Sequence, residues 1–403
     1  MSGRAVSAIG LLVLVGACGG GGGGGGSSLP TGPNVQSVAV SPSAAPFNNV
    51  NLLFTTVTIC VPGTANCQTI DHVLVDTGSV GVRIMASALS PSLILPQSRD
   101  VGSNDPLVTC GRFASGSTWG PVTIADVRMA SEIASSVPIQ IIGDSTFPTV
   151  PAGCPAPRIN SVSTLGANGL LGIGLFRQDC GTLCEQSTGP EVYFACVGST
   201  CAEVTTPLNQ QVSNPVALFA VNNNGTVVTL PPIGTSGASG ATGALAFGIG
   251  TQGNNGLGSA RVQTVDPDFG TFETVVNGIS YTSSFIDSGS NALFFNATFD
   301  PSILTCTPTS ANPNLGDFYC PPTIKNPVAM NQQHSGGGAA IPVSFQVANA
   351  STLNSSFFAF NNLAGPGPGS VFDWGLPFFY GRSIYTAIEG QNTPAGPGPY
   401  LAY

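Results

Sequence analysis

The sequence predicts an all-β fold built of two related lobes, and three observations carry that prediction. Charged residues make up 7 % of the 403 positions, while glycine and proline number 53 and 33. Long solvated helices need more charge and fewer breakers than that. Val, Ile, Thr and Phe come in short runs separated by Gly, Asn, Pro and Ser, the pattern of strands between turns. Finally, an apolar run ending in Asp-(Thr/Ser)-Gly-Ser occurs twice, at Asp76–Ser79 and Asp287–Ser290. Each copy is followed by a segment closing on glycine, Gly169–Gly172 and Asp373–Gly375. A repeat of that length exceeds a solenoid unit and reads as a duplicated lobe. The chain is long enough to bury a sizeable core.

The elements follow in order. Arg4 gives a thin positive start, and Ala8 to Val15 is an apolar stretch too short to span a membrane. It ends in Val15-Gly16-Ala17-Cys18, which resembles the lipobox of bacterial lipoproteins. That resemblance implies an exported chain, cut before an acylated Cys18 and anchored in the cell envelope; Gly19 after the cysteine is similar to lipoproteins of the outer membrane. Gly19 to Gly26 is a pure glycine run and reads as a flexible tether. The expected organisation is a signal over 1–18, a tether over 19–34, a first lobe over 35–212 and a second over 213–403. Strands are expected at Val57–Cys60, Val73–Val75, Val122–Met129 and Ile139–Ile142. Asn-Gly pairs predict hairpin turns at Asn222–Gly225, between Ala217–Val221 and Thr226–Leu230, and at Asn277-Gly278.

Charge and cysteine content exclude several function classes. The formal charge is −9, with one lysine (Lys325) and nine arginines; no basic cluster is present to neutralise a phosphate backbone, and nucleic acid is not an expected partner. Eleven cysteines fall to ten once Cys18 is assigned to lipid, an even number in an exported chain. Sequence proximity suggests Cys60 with Cys67, Cys180 with Cys184, Cys196 with Cys201 and Cys306 with Cys320, leaving Cys110 with Cys154. Metal ligation by Cys180 and Cys184 is the competing reading. It is weakened because the two histidines, His72 and His334, are not at zinc-site spacing from a cysteine pair. No metal or cofactor is expected. Gly143-Asp144-Ser145 after an apolar run has the look of a nucleophile turn, but no histidine is set to serve it.

The two aspartates carry the clearest chemistry. Each ends an apolar strand, and the small hydroxylated residue and glycine after it allow a sharp, rigid turn. One such turn alone has the plain role of bonding nearby amides. Two of them brought together set two carboxyls side by side, where a single proton is shared and a water between them is activated.

Asp76-Thr77-Gly78-Ser79 and Asp287-Ser288-Gly289-Ser290 resemble the paired active-site loops of pepsin-like aspartic peptidases. Ala167–Gly172 is similar to the segment passing behind the first loop. Phe113–Gly120 resembles the flap hairpin, with Phe113 and Trp119 as its aromatic candidates. Trp374–Phe379 with Ile384–Ile388 resembles the closing strands of the second lobe. The whole chain also resembles an uncharacterised family of Gram-negative lipoproteins. The peptidase resemblance implies a bilobal fold with a cleft and Asp76 and Asp287 as catalytic pair. It further implies that Thr77 and Ser288 brace the loops, that Ser79 and Ser290 bond the outer carboxylate oxygens, and that Gly78 and Gly289 permit close approach. It implies an extended peptide or unfolded protein as substrate, and a monomer. Two positions depart from the pattern: Phe113 stands where a tyrosine is expected, and Asp373 where an apolar residue is expected. They favour the alternative, an inactive envelope lipoprotein that binds peptide or a cell-envelope partner. A structural adhesin-like β-protein without a cleft is a further alternative.

Overall fold

The computed structural model describes residues 29–43, 49–310, 312–336 and 338–403. The signal stretch, Cys18 and the glycine run lie outside the described residues. The fold is all-β, with helix confined to short turns such as Val162–Leu165 and Thr182–Gln186. Among the described residues no helix is long and apolar enough to cross a membrane.

In the first half, six strands close into a ring: Leu53–Cys60, Cys67–Asp76, Gly169–Ile173, Val80–Met85, Glu132–Ile142 and Gly116–Met129, the last returning to the first. Closure leaves no free edge. Alternation along each strand sends residues such as Val73, Val75, Val82 and Ile84 into the core. In the second half, a seven-stranded sheet runs in the order Ile341–Ser344, Val328–Gln332, Phe272–Val276, Ile279–Ile286, Phe372–Trp374, Leu293–Phe295, Ala364–Pro366. It wraps an aromatic core in which Phe372 stacks on Phe295 and Trp374, with ring centroids 4.7 Å and 4.3 Å apart.

The two halves share one sheet. The strand Val35–Val40 falls in the first half by sequence, yet all six residues pair with Ala241–Phe247 of the second, and only Ala39 and Val40 pair with Leu53–Cys60. The sheet then continues through Gly225–Thr229, Ser383–Ala387, Tyr400–Ala402 and Val262–Thr264. Val38 and Val40 are buried in the same core as Leu245 and Phe247, which is why this strand lies across the midline.

Of the two expected hairpins, one forms. Asn277 and Gly278 take φ of 47° and 83° between the strands Phe272–Val276 and Ile279–Ile286. The other does not. Pro215–Leu218 is a 3-10 turn, and Gly225–Thr229 pairs with distant strands instead. The asparagine side chains there serve long-range bonds: Asn224 exchanges two with Ile249, and Asn222 donates to Glu132.

All ten described cysteines are paired, as Cys60–Cys67, Cys110–Cys154, Cys180–Cys184, Cys196–Cys201 and Cys306–Cys320. Cys180 and Cys184 are therefore bonded to each other. Among the described residues no cluster of three metal-ligating side chains occurs.

Candidate active site

Both aspartates leave their strands at equivalent points. Cys67–Asp76 runs parallel to Gly169–Ile173, which sets Asp76 opposite Gly172. Ile279–Ile286 runs parallel to Phe372–Trp374, with Phe285 opposite Asp373 and Ile286 opposite Trp374. The next residues in that register are Asp287 and Gly375. Glycine is needed behind each loop: a Cβ on Gly172 would meet the Val80 backbone at 2.6 Å, and one on Gly375 would meet the Ala292 carbonyl at 2.1 Å.

The two loops are cross-braced by four buried hydrogen bonds. The Thr77 amide donates to Ser288 Oγ (3.1 Å), and the Ser288 amide donates to Thr77 Oγ1 (2.9 Å). Ser288 Oγ donates to the Val75 carbonyl (2.8 Å) and Thr77 Oγ1 to the Ile286 carbonyl (3.4 Å). Each hydroxyl thus accepts from the opposite loop and donates to the strand leading into it.

Above this brace, each carboxylate is held the same way. Asp76 Oδ1 accepts from the Gly78 amide (2.8 Å) and Oδ2 from Ser79 Oγ (2.6 Å). Asp287 Oδ1 accepts from the Gly289 amide (2.7 Å) and Oδ2 from Ser290 Oγ (2.8 Å). The two side chains approach each other closely enough for each carboxyl to act on the other. A Cβ on Gly78 would lie 2.6 Å from Asp287 Cγ, and one on Gly289 would lie 2.8 Å from Asp76 Cγ. The two glycines are what let the carboxyls meet.

Asp76 is 6 % exposed. Burial, then the Asp287 charge and the hydrogen bond to it, push the Asp76 carboxyl well above its usual range, against the pull of Ser79 and Gly78. The two carboxyls are therefore set to share a proton. Gly78 is exposed, and Ser79, Asp287, Gly289 and Ser290 are half-buried, so the loops open to solvent. Beside them lies an apolar pocket of about 180 Å³, lined by Thr77, Gly78, Val80, Leu175, Phe176, Phe269 and Phe285 among others. Of that lining, the Leu175–Phe176 and Phe269 segments gave no sequence signal. Phe269 is 73 % exposed on a loop in which Asp266 accepts amides from Asp268 and Phe269.

The remaining candidates fall elsewhere or act differently. Trp119 is buried in a separate cluster with Cys110, Cys154 and Phe194, and its indole donates to the Phe147 carbonyl (3.0 Å). Phe113 packs against Leu52, Phe54 and Leu74 with the Arg83 guanidinium 5.6 Å from its ring. Neither side chain bonds the carboxyl pair. Asp144 accepts the Thr146 amide in a turn, and no histidine bonds Asp144 or Ser145. Asp373, the odd residue of the second glycine segment, is buried, and that burial first, then the Asp287 and Asp76 charges, pushes its carboxyl well above the usual range.

A buried ion pair also lies in the first half. Arg83 bonds Asp179 (2.8 Å) and Gln140 (2.8 Å), and Tyr193 donates to Asp179 (2.6 Å). The group is tied into the framework further by the Val212 amide, which donates to Tyr193, and by Gln140, which donates to the Thr109 carbonyl, consistent with a structural tie.

Residues 30–403 match the model of a family described as "Protein of unknown function (DUF3443)". No curated protein matches the chain.

Proposed function

We propose that this chain, which belongs to the DUF3443 family, is an aspartic endopeptidase of pepsin-like, two-lobed build whose catalytic pair is Asp76 and Asp287. The observation that carries the reading is the reciprocal arrangement of the two loops. Two carboxyls, each fixed by a glycine amide and a serine hydroxyl, meet over a buried Thr77–Ser288 brace. A turn aspartate serving only its own loop has no need of a twin.

The chemistry follows from the proton count. The pair holds one proton between its two carboxyls, and the step is written with that proton on Asp76. A water drawn between them loses a proton to Asp287 as its oxygen adds to the peptide carbonyl carbon. The Asp76 proton passes to the carbonyl oxygen, giving a neutral tetrahedral diol. Collapse returns a diol proton to Asp76 and sends the Asp287 proton to the leaving nitrogen, which restores both carboxyls. The apolar pocket beside Gly78 supports a substrate carrying a large apolar side chain next to the cleaved bond. Five disulfides support an oxidising, exported location, with attachment to the envelope through a lipid on Cys18 and a monomeric body.

The test is cleavage of a denatured protein across pH 3 to 8 by the wild type, Asp76→Asn and Asp287→Asn, with and without a pepstatin-type inhibitor. Cleavage by the wild type that both substitutions abolish supports the reading. Cleavage that survives them assigns the wrong residues. The positions of Phe113 and Trp119 favour a second reading, in which the same site binds peptide without cutting it. Peptide binding by a wild type that cleaves nothing at any pH would establish it.

A further inference from the structure

A second pocket, of about 220 Å³, lies in the first half and shares no lining residue with the pocket beside Gly78. Its floor is apolar. Trp119 and Phe147 line it, belong to one core cluster with the Cys110–Cys154 disulfide, and are 4 % and 8 % exposed. Val150 lines it too and packs against that cluster. Two charged side chains complete it, Arg158 and Asp144, both half-buried. Among the described residues neither of them belongs to an ion pair.

Arg158 is held on one side only. Its Nη1 donates to Ser117 Oγ (2.9 Å) and to the Pro155 carbonyl, and the buried Ser117 hydroxyl donates to that same carbonyl. The Ser117 amide donates to the Pro157 carbonyl (2.9 Å) and the Ile159 amide to the Ser117 carbonyl (2.8 Å), which clamps the segment to the strand Gly116–Met129. Cys154, fixed in its disulfide, and the restricted φ of Pro155 and Pro157 stiffen the approach. A guanidinium carries five N–H donors. Those on Nη1 serve the framework, while among the described residues Nε and Nη2 bond nothing. Arg83 is different: its Nη1 and Nη2 are both tied to Gln140 and Asp179. The Nε–Nη2 edge of a fixed guanidinium matches a carboxylate, which it binds through two parallel hydrogen bonds. Asp144 is likewise half used, since Oδ1 accepts the Thr146 amide (2.7 Å) and Oδ2 has no partner among the described residues.

We propose that this pocket binds an apolar residue bearing a free carboxylate, with the carboxylate on the Nε–Nη2 edge of Arg158 and the apolar side chain on Trp119, Phe147 and Val150. The volume is below the ~300–1,000 Å³ of a drug-sized site, which limits the buried part of the ligand to a single side chain. A free apolar amino acid and the C-terminal residue of a peptide share this chemistry. They differ at the nitrogen, where a free amino acid brings an ammonium that Asp144 Oδ2 can pair. The binding does not rest on the peptidase reading, although peptide hydrolysis creates one such carboxylate at every cut.

The experiment is a ligand-observed NMR titration of the full chain, disulfides intact, with leucine, N-acetyl-leucine and leucinamide. Leucine and N-acetyl-leucine are expected to bind, and leucinamide, which lacks the carboxylate, is not. Arg158→Gln is expected to weaken N-acetyl-leucine about tenfold or more, the loss of a charge-assisted pair of hydrogen bonds. That change also frees the Pro155 carbonyl, so Val150→Phe serves as a second variant: it fills the pocket, leaves the guanidinium bonds alone, and should abolish binding with the circular dichroism spectrum unchanged. Asp144→Asn separates the two sources. Weaker binding of leucine alone supports the free amino acid, and unchanged binding of both carboxylates supports the peptide C-terminus. Asp76→Asn should bind both as the wild type does; loss there would place the ligand at the carboxyl pair and overturn the assignment. Leucinamide binding as tightly as leucine, N-acetyl-leucine binding unchanged in Arg158→Gln or Val150→Phe, or no binding of either carboxylate would each overturn the proposal. None of these outcomes depends on whether the chain cleaves peptides.

Discussion

Removing the brace between the two loops tests the architecture of the site without touching a carboxyl. Ser288→Ala deletes the acceptor of the Thr77 amide and the donor to the Val75 carbonyl. Thr77→Val, nearly the same shape, deletes the acceptor of the Ser288 amide and the donor to the Ile286 carbonyl. Both residues are buried, and each change orphans one buried N–H and one buried C=O. A buried group left without its partner costs ~1–3 kcal/mol, so each single change, which leaves two such groups, is expected to cost at least ~2 kcal/mol. The two share one network, so they are not expected to add. Once either hydroxyl is gone the loops part, water reaches the freed groups, and the second deletion costs less. A coupling of at least ~1 kcal/mol follows, within the ~0.5–3 kcal/mol range of residues in one network. Urea unfolding of the four proteins with disulfides intact, followed by fluorescence and circular dichroism, measures the cycle. Costs that add to within ~0.5 kcal/mol, the behaviour of independent sites, would refute the account of a reciprocal brace.

Four other outcomes follow. Because folding raises the Asp76 carboxyl, its stabilising contribution is present below the unfolded value and falls as pH rises; Asp76→Asn should therefore gain melting temperature on the wild type from pH 4 to pH 7, and a constant difference would contradict this. Gly78→Ala puts a methyl 2.6 Å from Asp287 Cγ, so substrate cleavage should drop at least ~10-fold while the exposed position keeps the stability loss within ~1 kcal/mol. Removing Cys110–Cys154, separated by 44 residues, should cost about 4 kcal/mol by loop closure, against about 2 kcal/mol for Cys180–Cys184, separated by four; denaturant unfolding of the paired alanine variants checks the order. Phe269→Ala, which opens the apolar pocket from an exposed loop, should weaken the preference for large apolar side chains in a peptide-library digest, and an unchanged profile would detach the pocket from substrate.

The site was legible in the sequence where its determinants are local. An apolar strand, an acid, a hydroxyl and a glycine occupy consecutive positions, and doing so twice announced the pairing of Asp76 with Asp287 before any coordinates. The disulfides were legible for the same reason: in four of the five pairs the partners are at most 14 residues apart, and the fifth follows by exclusion. What was not legible depends on distant partners. Val35–Val40 has the same alternation whichever neighbour it pairs with, and only the core shared with Leu245 and Phe247 sends it across. Asn222-Asn223-Asn224-Gly225 has ideal turn chemistry, but bonds to Glu132 and Ile249 use its side chains otherwise. Trp119 carried an aromatic signal with no direction, and its indole found the Phe147 carbonyl inside a core. The surroundings of Asp373 depend on distant partners in the same way: its neighbours Phe372 and Trp374 stack on each other in the aromatic core.

The midline strand has a mechanical corollary. Whatever precedes Val35 enters the body through a strand bonded along its length to Ala241–Phe247, running antiparallel to it. Tension applied from that end acts along the strand axis, so the six residue pairs resist together rather than peeling one after another. The same strand also touches Leu53–Cys60. A tug on the leading segment would thus be shared by both halves of the molecule.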